Sequence, residues 1–536
     1  MSFDFVIAGG GSAGCVLANR LSASGKHRVC LIEAGPPDSS PLIKMPGAVV
    51  ALMRGDSHNW QFWTTPQKHM GNRPMYLPRG KTLGGSSSIN AMVSIRGHAW
   101  DYDHWASLGN NGWSYRDVLP YFRKSENYEP GNDAEYHGRG GPLNISDCRS
   151  TNPLTEVFLE AAQQAGLKPT PDFNGAQQEG IGRYRVYQKN GERWNNAQAY
   201  LREAESRPNL TVITGAHVCR VLFEGKRAVG VRYYAKSTFT DVLARREVVL
   251  SAGSIGSPHL LLLSGVGPQA ELKKHGIAAV HELPGVGENF QDHLDIVVCT
   301  KAKNRLPMSL HPLSLLRALI GLFKYLFFRQ GESTSNVAEG GAFLKTDPKE
   351  PIPDLQWHFV PMANAYHGLD LSLVLKTYGY LLMCCDLRPL SRGRITLESG
   401  DPLKAPKIDP NWGAHERDIE KLVIGIKKMR EVLAQKAFDP HRGEELEPGA
   451  ELKTDVQLRE WVRQKAEAIY HPIGTCKMGA DGDAMAVVDA QLRVRGLQGL
   501  RVVDASIMPT LVGGNTNGPT TMIAEKAADL ILQVAA

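Results

Sequence analysis

Short apolar runs that end in glycine or small hydroxyl residues recur at both ends of the chain. Phe5-Val6-Ile7-Ala8 leads directly into Gly9-Gly10-Gly11-Ser12-Ala13-Gly14, and Val16, Leu17 and Leu21 continue it at helical spacing. The pattern predicts strand, tight turn and helix. A second run, Arg28 to Ile32, predicts a strand that stops at Glu33. Leu210–Ile213, Val218–Phe223 and Ala228–Tyr233 read as strands, the last two as an antiparallel pair. Glu247–Ser251 predicts a strand entering the small-residue turn Ala252–Pro258 and a leucine-rich helix to Leu263. Asp354–Val360 alternates, with Leu355, Trp357 and Phe359 on one face and Gln356, His358 and Val360 on the other. Such a strand could floor a cavity, and His358 is either a pocket residue or a satisfied structural histidine.

Further along, residues 413–467 are charged and helical in pattern. Leu500–Ser506 reads as strand, acid and small residues, and Met522–Asp529 begins a helix. Aromatic residues crowd 98–155, including Trp100, Trp105, Trp113, Tyr115, Tyr121 and Phe122. No basic residues interleave them regularly, so they are expected in the core.

The segment 310–328 is largely Leu, Ile and Phe, with Ser314, Arg317, Gly321 and Lys324 as a single polar stripe on a helix. It is too short and too charged to span a bilayer. Two placements stay open: burial against another part of the protein or another subunit, or contact with a membrane interface with the cations near lipid headgroups.

At 536 residues the chain exceeds one small core, so two packed domains are expected. Hydrophobic content of 42% and charged content of 22% indicate a globular protein. Sixty-one basic against 55 acidic residues give +6 with no arginine-rich arm, which argues against nucleic acid. The mild excess could aid docking on an anionic surface. The eight cysteines show no CxxC pair and no metal-ligand spacing, so buried thiols and no metal site are expected; Cys476, close to His471, is the one to watch. The start lacks a basic n-region and no long uncharged apolar run occurs. A cytoplasmic location is expected, with association at the inner face of the membrane as the added alternative.

Gly9, Gly11 and Gly14 form GxGxxG between a strand and a helix, and Glu33 ends the next strand about 20 residues on, where a carboxylate accepts from an adenosine ribose. Together these indicate a dinucleotide fold. The acid argues against a 2′-phosphate without separating FAD from NAD. Gly80–Asn90 is a second glycine-rich loop, able to form an anion nest with Arg79 and Lys81 nearby. Gly285–His293 reads only as a polar turn. Late in the chain come Tyr470-His471-Pro472, which offers a base, and Asn515-Thr516-Asn517-Gly518-Pro519, which offers amides.

These stretches, with Gly253–Gly267, Val286–His293, His471–Gly479 and Asp504–Ala528, make the chain resemble the glucose–methanol–choline (GMC) oxidoreductases over nearly its whole length. The resemblance implies α/β and α+β architecture: a Rossmann-like FAD-binding domain at 1–155, 205–295 and 465–536, and an inserted substrate domain of antiparallel sheet and helices at 156–204 and 296–464. It implies FAD contacts from Gly9, Gly11, Ser12, Ala13, Gly14, Glu33 and Ala34 at the adenosine and pyrophosphate. Gly85, Asn90 and Val93 would lie along the pyrophosphate and flavin, and Val218 at the adenine. Asp504, Ala505, Asn517 and Pro519 would lie near the flavin ring. His471 matches the catalytic histidine, and Asn515 a position holding histidine or asparagine. Choline oxidases carry a flavin-linking histidine where Ile89 stands, so non-covalent FAD is expected.

Within the family, Arg79–Met92, Tyr470 and Gly513–Asn517 are most similar to bacterial aliphatic alcohol, polyethylene glycol and choline dehydrogenases. The implied reaction is oxidation of a primary, aliphatic alcohol by hydride transfer to flavin. His471 would be the base, Asn515 a hydrogen-bond donor to the alcohol oxygen, and a respiratory acceptor such as a quinone would take the electrons. Choline oxidation, oxygen-dependent oxidation and a flavin-containing hydroxynitrile lyase stay open as alternatives.

Overall fold

The computed structural model describes residues 2–131, 133–363 and 370–535. Two seven-stranded sheets organise it. In the first, strands run in the order Leu210–Ile213, Val29–Ile32, Ser2–Ala8, Thr238–Leu250, Arg227–Ala235, His217–Glu224, with Leu500–Val502 beside the end of Thr238–Leu250. The first four, with Leu500–Val502, pair in parallel. A strand buried on both faces reads as a continuous apolar run. Val6, Ile7, Leu31 and Val249 are fully buried there, and each such side chain contributes about 1.5–3 kcal/mol. The long strand Thr238–Leu250 leaves the parallel core and pairs antiparallel to Arg227–Ala235.

The second sheet is antiparallel: Arg442–Glu447, Leu294–Ala302, Gly379–Asp386, Leu355–Val360, Gly340–Leu344, Gly180–Arg183, with Glu467–Ala468 alongside Leu294 and Asp295. The alternation at 355–360 holds. Leu355, Trp357 and Phe359 pack in one core under the helix Glu416–Leu433, while Val360 belongs to another.

Helices Ser12–Ser22, Gly253–Leu263 and Asn517–Ala535 each begin at the carboxyl side of the first sheet, next to the segments that follow its parallel strands. Gly14 is required where the first helix crosses: a Cβ there would lie 1.9 Å from the Gly9 carbonyl oxygen.

One expectation changes, and one set of open placements narrows. Trp100 is not core. It is 41% exposed, stacked on His104 with the Arg388 guanidinium over its ring. The segment 310–328 forms a turn, Pro312–Ser314, and a helix, Leu315–Phe328, whose apolar side faces outward rather than into a domain contact. Arg317 is not free for a headgroup either. It donates to the carbonyls of Arg305, Leu306 and Pro307 and pairs with Glu332. Among the described residues no helix is long and apolar enough to cross a membrane.

Candidate active site

A cavity of about 610 Å³ lies between the two sheets. Gly9, Gly11, Ser12, Ala13, Glu33, Ala34 and Val218 line it. Gly9 has φ +106°, and a Cβ there would stand 2.5 Å from the Ser251 oxygen. Gly85 has φ +54°, and its Cβ would meet Gly11 Cα at 2.7 Å. The two glycine loops therefore close on each other backbone to backbone, and only residues without Cβ allow it.

Glu33 accepts from the backbone N–H of Gly10 and of Gly35, both at 2.8 Å. Burial, only partly offset by those bonds, raises its carboxyl to about 7. Ser12 donates to Asn517 Oδ1 at 2.8 Å, tying the start of one helix to the start of another. Asp504 accepts from Gly253 N–H at 2.9 Å and from Ser506 N–H at 2.8 Å. Three helix N-termini thus border one cavity, an arrangement that favours anionic groups.

The donor set fits a flavin dinucleotide. Backbone N–H groups and helix ends would hold its phosphates, and a buried acid its ribose. Among the described residues no group of His, Cys, Asp and Glu is placed to hold a metal ion.

Asn90, Val93, Asp504, Ala505 and Asn517 all line the cavity. Gly14 and Pro519 do not. Gly14 acts through helix packing, and Pro519 is buried near the start of the last helix. Ile89 lines the cavity and packs on Ile43 and Leu52. Cys476 is a core residue: it is fully buried, its N–H bonds the Ser506 carbonyl, and burial pushes its thiol far up.

His471 and Asn515 also line the cavity. His471 Nε2 lies 3.1 Å from Asn515 Nδ2, and its Nδ1 lies 3.0 Å from His293 Nδ1. Its backbone N–H donates to Asp292 Oδ1 at 2.7 Å. Burial, then the charges of His293, His358 and Arg79, hold its pKa well below 6.5. His293 is lowered to about 3, chiefly by burial. Asn515 Oδ1 accepts from Gln356 Nε2 at 3.1 Å, and Gln356 also contacts the Tyr184 hydroxyl at 3.2 Å. Tyr184 in turn donates to the Trp357 carbonyl at 2.5 Å. His358 lines the cavity with Val360, so the polar face of its strand is a floor.

Asp292, His293 and Gln356 are the site residues that sequence reasoning missed. The first two sit in what reads as a turn and the third on an alternating strand. Arg79 was expected to add charge to an anion nest. It lines the cavity half-buried near the base, donating to the Tyr470 carbonyl at 2.7 Å, and is lowered to about 10, chiefly by burial. Tyr470 itself adopts φ +69°. A bulky residue there is strained, which marks the turn presenting His471 as over-determined by its surroundings.

Family models described as GMC oxidoreductase match residues 3–295 and 389–524. The chain is 49% identical to an alcohol dehydrogenase (acceptor) of Pseudomonas putida over 533 residues, covering 99% of this chain and 96% of that one. It is 45% identical to an oxygen-dependent choline dehydrogenase of Brucella anthropi over 537 residues, with the same coverages. Among solved structures it resembles pyridoxine 4-oxidase from Mesorbium loti, with TM-score 0.88, 31% identity and 98% of each chain covered. A formate oxidase of Aspergillus oryzae matches with TM-score 0.92, 27% identity, 99% of this chain and 98% of that one. The glycine loops, the helix ends and these matches converge: the chain belongs to the GMC oxidoreductase family and is an FAD-dependent oxidoreductase acting on CH–OH groups.

Proposed function

We propose that this enzyme oxidises a primary aliphatic alcohol to the aldehyde, with His471 as base and FAD held without a covalent bond. The observation that carries the reading is the pairing of a neutral, buried His471 Nε2 with Asn515 Nδ2 at 3.1 Å in the wall of the cavity. FAD, when bound, supplies the hydride acceptor. His471 Nε2 takes the hydroxyl proton as the alkoxide forms. Asn515 Nδ2 donates to the same oxygen and holds it in place, its own carbonyl being fixed by Gln356. Burial of these groups keeps bulk water from competing for the proton. Aliphatic residues, Val337, Ala338, Val360, Met383 and Ile469, share the cavity wall with His358 and His471 and suit an alkyl chain. Ile89, an apolar side chain with no group to bond a flavin, supports non-covalent attachment.

We place the cofactor elements in a discontinuous domain, 1–155, 205–295 and 465–536, and the substrate elements in 156–204 and 296–464. The electrons pass to an acceptor other than oxygen, a quinone carried in the membrane and reached by peripheral contact through 310–328. Choline is the second reading, favoured by the 45% identical relative. Against it, a quaternary ammonium prefers a cage of aromatic rings, whereas the wall near Val337, Val360 and Met383 is aliphatic.

Anaerobic titration of the yellow protein with 1-butanol, and with choline in parallel, decides between them. Bleaching of the flavin absorbance by 1-butanol alone is expected. Bleaching by choline alone moves the enzyme to the second reading, and bleaching by neither sinks both. Peroxide formation in air would replace the quinone with oxygen.

A further inference from the structure

The helix Leu315–Phe328 is built inside out. Its inward positions are Ser314, Arg317, Gly321 and Tyr325, of which Ser314 and Tyr325 are buried. Outward it presents leucines, an isoleucine and phenylalanines, with Leu316 at 71% and Phe327 at 68% exposure. At roughly 100° per residue the outward leucines, isoleucine and phenylalanines from Leu315 to Phe327 sweep roughly 160° of the helix. A partner helix or a second copy of this chain would cover a stripe of about 100° and leave the flanks wet. A fluid acyl layer wraps the whole arc. The charges agree. Between Lys301 and Gln330 the sequence carries six cations and no carboxylate; Lys301, Arg317 and Arg329 pair with Glu444, Glu332 and Glu192, and the exposed Lys303, Arg305 and Lys324 suit an anionic headgroup layer.

The ridge is also joined to the cavity. Arg317 pairs with Glu332, and the turn Glu332–Thr334 packs on Gly47, whose Cβ would sit 3.3 Å from Ser333 Cα. The helix that follows Gly47 puts Val49, Val50 and Met53 into the cavity wall, and the chain that follows Thr334 puts Asn336, Val337 and Ala338 there. One short turn therefore separates the outward ridge from the wall of the alcohol chamber.

We infer that Leu315–Phe328 is a docking ridge for the acyl layer of an anionic bilayer, and that the enzyme takes from that layer its substrate class, the straight-chain alcohols that partition into lipid. This rests on the alcohol reading above and adds where the alcohol comes from. The apolar ridge supplies the affinity and the cations supply orientation.

The test uses the purified FAD-loaded enzyme and vesicles of phosphatidylethanolamine and phosphatidylglycerol. The wild type should float with the vesicles, and the triple variant Leu319→Glu, Phe323→Glu, Phe327→Glu should lose roughly 10²-fold or more in vesicle affinity. With an artificial electron acceptor, the triple variant should lose about tenfold or more in kcat/KM for 1-dodecanol presented in vesicles. It should keep the wild-type rate on 1-butanol in vesicle-free buffer. Leu316→Glu alone, a milder change, should weaken flotation with 1-butanol oxidation intact. Wild-type enzyme that stays out of the vesicle fraction overturns the inference. So does a triple variant that still floats, or one that keeps the dodecanol rate. A dimer in buffer that the triple variant dissolves, without vesicle binding, assigns the ridge to a second copy instead. Failure of 1-butanol to bleach the flavin would sink the alcohol reading, while flotation, which needs no turnover, would still report on the ridge.

Discussion

His471 and His293 face each other Nδ1 to Nδ1 at 3.0 Å. Burial leaves both rings neutral, so exactly one hydrogen must lie between the two atoms. Asn515 Nδ2, its carbonyl occupied by Gln356, faces His471 Nε2 as a donor, so the hydrogen between the two rings belongs to His471 and not to His293. Its Nδ1 is then an acceptor, His471 Nδ1–H is the donor, and His471 Nε2 is left unprotonated toward Asn515. The pair sets the tautomer that a base needs. His293 is a positioning residue, and His293→Leu should lower kcat by roughly 10- to 10³-fold with a smaller change in KM. His293→Asn, whose side-chain carbonyl can accept the same hydrogen, should recover part of the loss. Equal rates for the two variants would show that packing, not the hydrogen bond, is what matters.

His471→Ala removes the base itself. Flavin reduction by alcohol under single-turnover conditions should fall roughly 10²- to 10⁴-fold, with FAD retained. A variant that reduces at near wild-type rate would put the base elsewhere, with His358 the next residue to examine.

Gln356 acts one step further out. Its Nε2 occupies the Asn515 carbonyl at 3.1 Å, which turns the Asn515 NH₂ group toward His471. Gln356→Leu frees that amide to rotate and should cost about tenfold in kcat. Asn515→Ala should cost more, by roughly 2–4 kcal/mol of transition-state stabilisation, since it removes the donor to the oxyanion. Stopped-flow reduction of both variants checks the order. An apoprotein from Asn515→Ala would mean that the amide is structural.

What was legible in the sequence is what is local. Gly9, Gly11, Gly14 and Glu33 announce a dinucleotide turn because strand, turn, helix and acid occur in one short unit. The outward placement of Leu316 and Phe327 was one of two open readings, because periodicity identifies an apolar face but not what covers it. The environment of His471 was illegible for another reason. Its partners come from sequence-distant segments: Asp292 and His293 on a turn, and Gln356 on a strand of the second sheet. No spacing rule links them, and only the meeting of the two sheets brings them together.

Gly9 tests the cofactor end independently. At φ +106° with the Ser251 oxygen 2.5 Å from any Cβ, Gly9→Ala must shift the loop or strain it. A cost of about 1–3 kcal/mol is expected. The protein should purify with less than full flavin, seen as a lowered ratio of visible to ultraviolet absorbance. Full flavin content with an unchanged melting temperature would mean that the loop relaxes freely.

The pH dependence follows from the same burial. His471 is held well below 6.5, so the unprotonated base that the reaction needs is already present at neutral pH and persists as pH falls past 6.5. Asp292, raised to about 7 by burial, loses its charge over the same range, which removes an anion that would have favoured the imidazolium. The acid limb of kcat/KM should therefore lie below pH 6.5, and half-maximal activity at or above that value would contradict the assignment. Stability carries the opposite signs. The neutral rings of His471 and His293 contribute above pH 6.5 and lose that contribution as pH falls toward their lowered values. Asp292, whose folded pKa is raised, contributes below its ordinary value near 3.8 and loses that contribution as pH rises through about 7. Asp292→Asn should accordingly remove the part of the unfolding free energy that grows as pH is lowered from 8 to 5, leaving the histidine loss exposed. Denaturant titrations of the two proteins at those pH values measure the difference. Parallel curves would mean that Asp292 keeps its charge in the folded enzyme, sustained by Arg79.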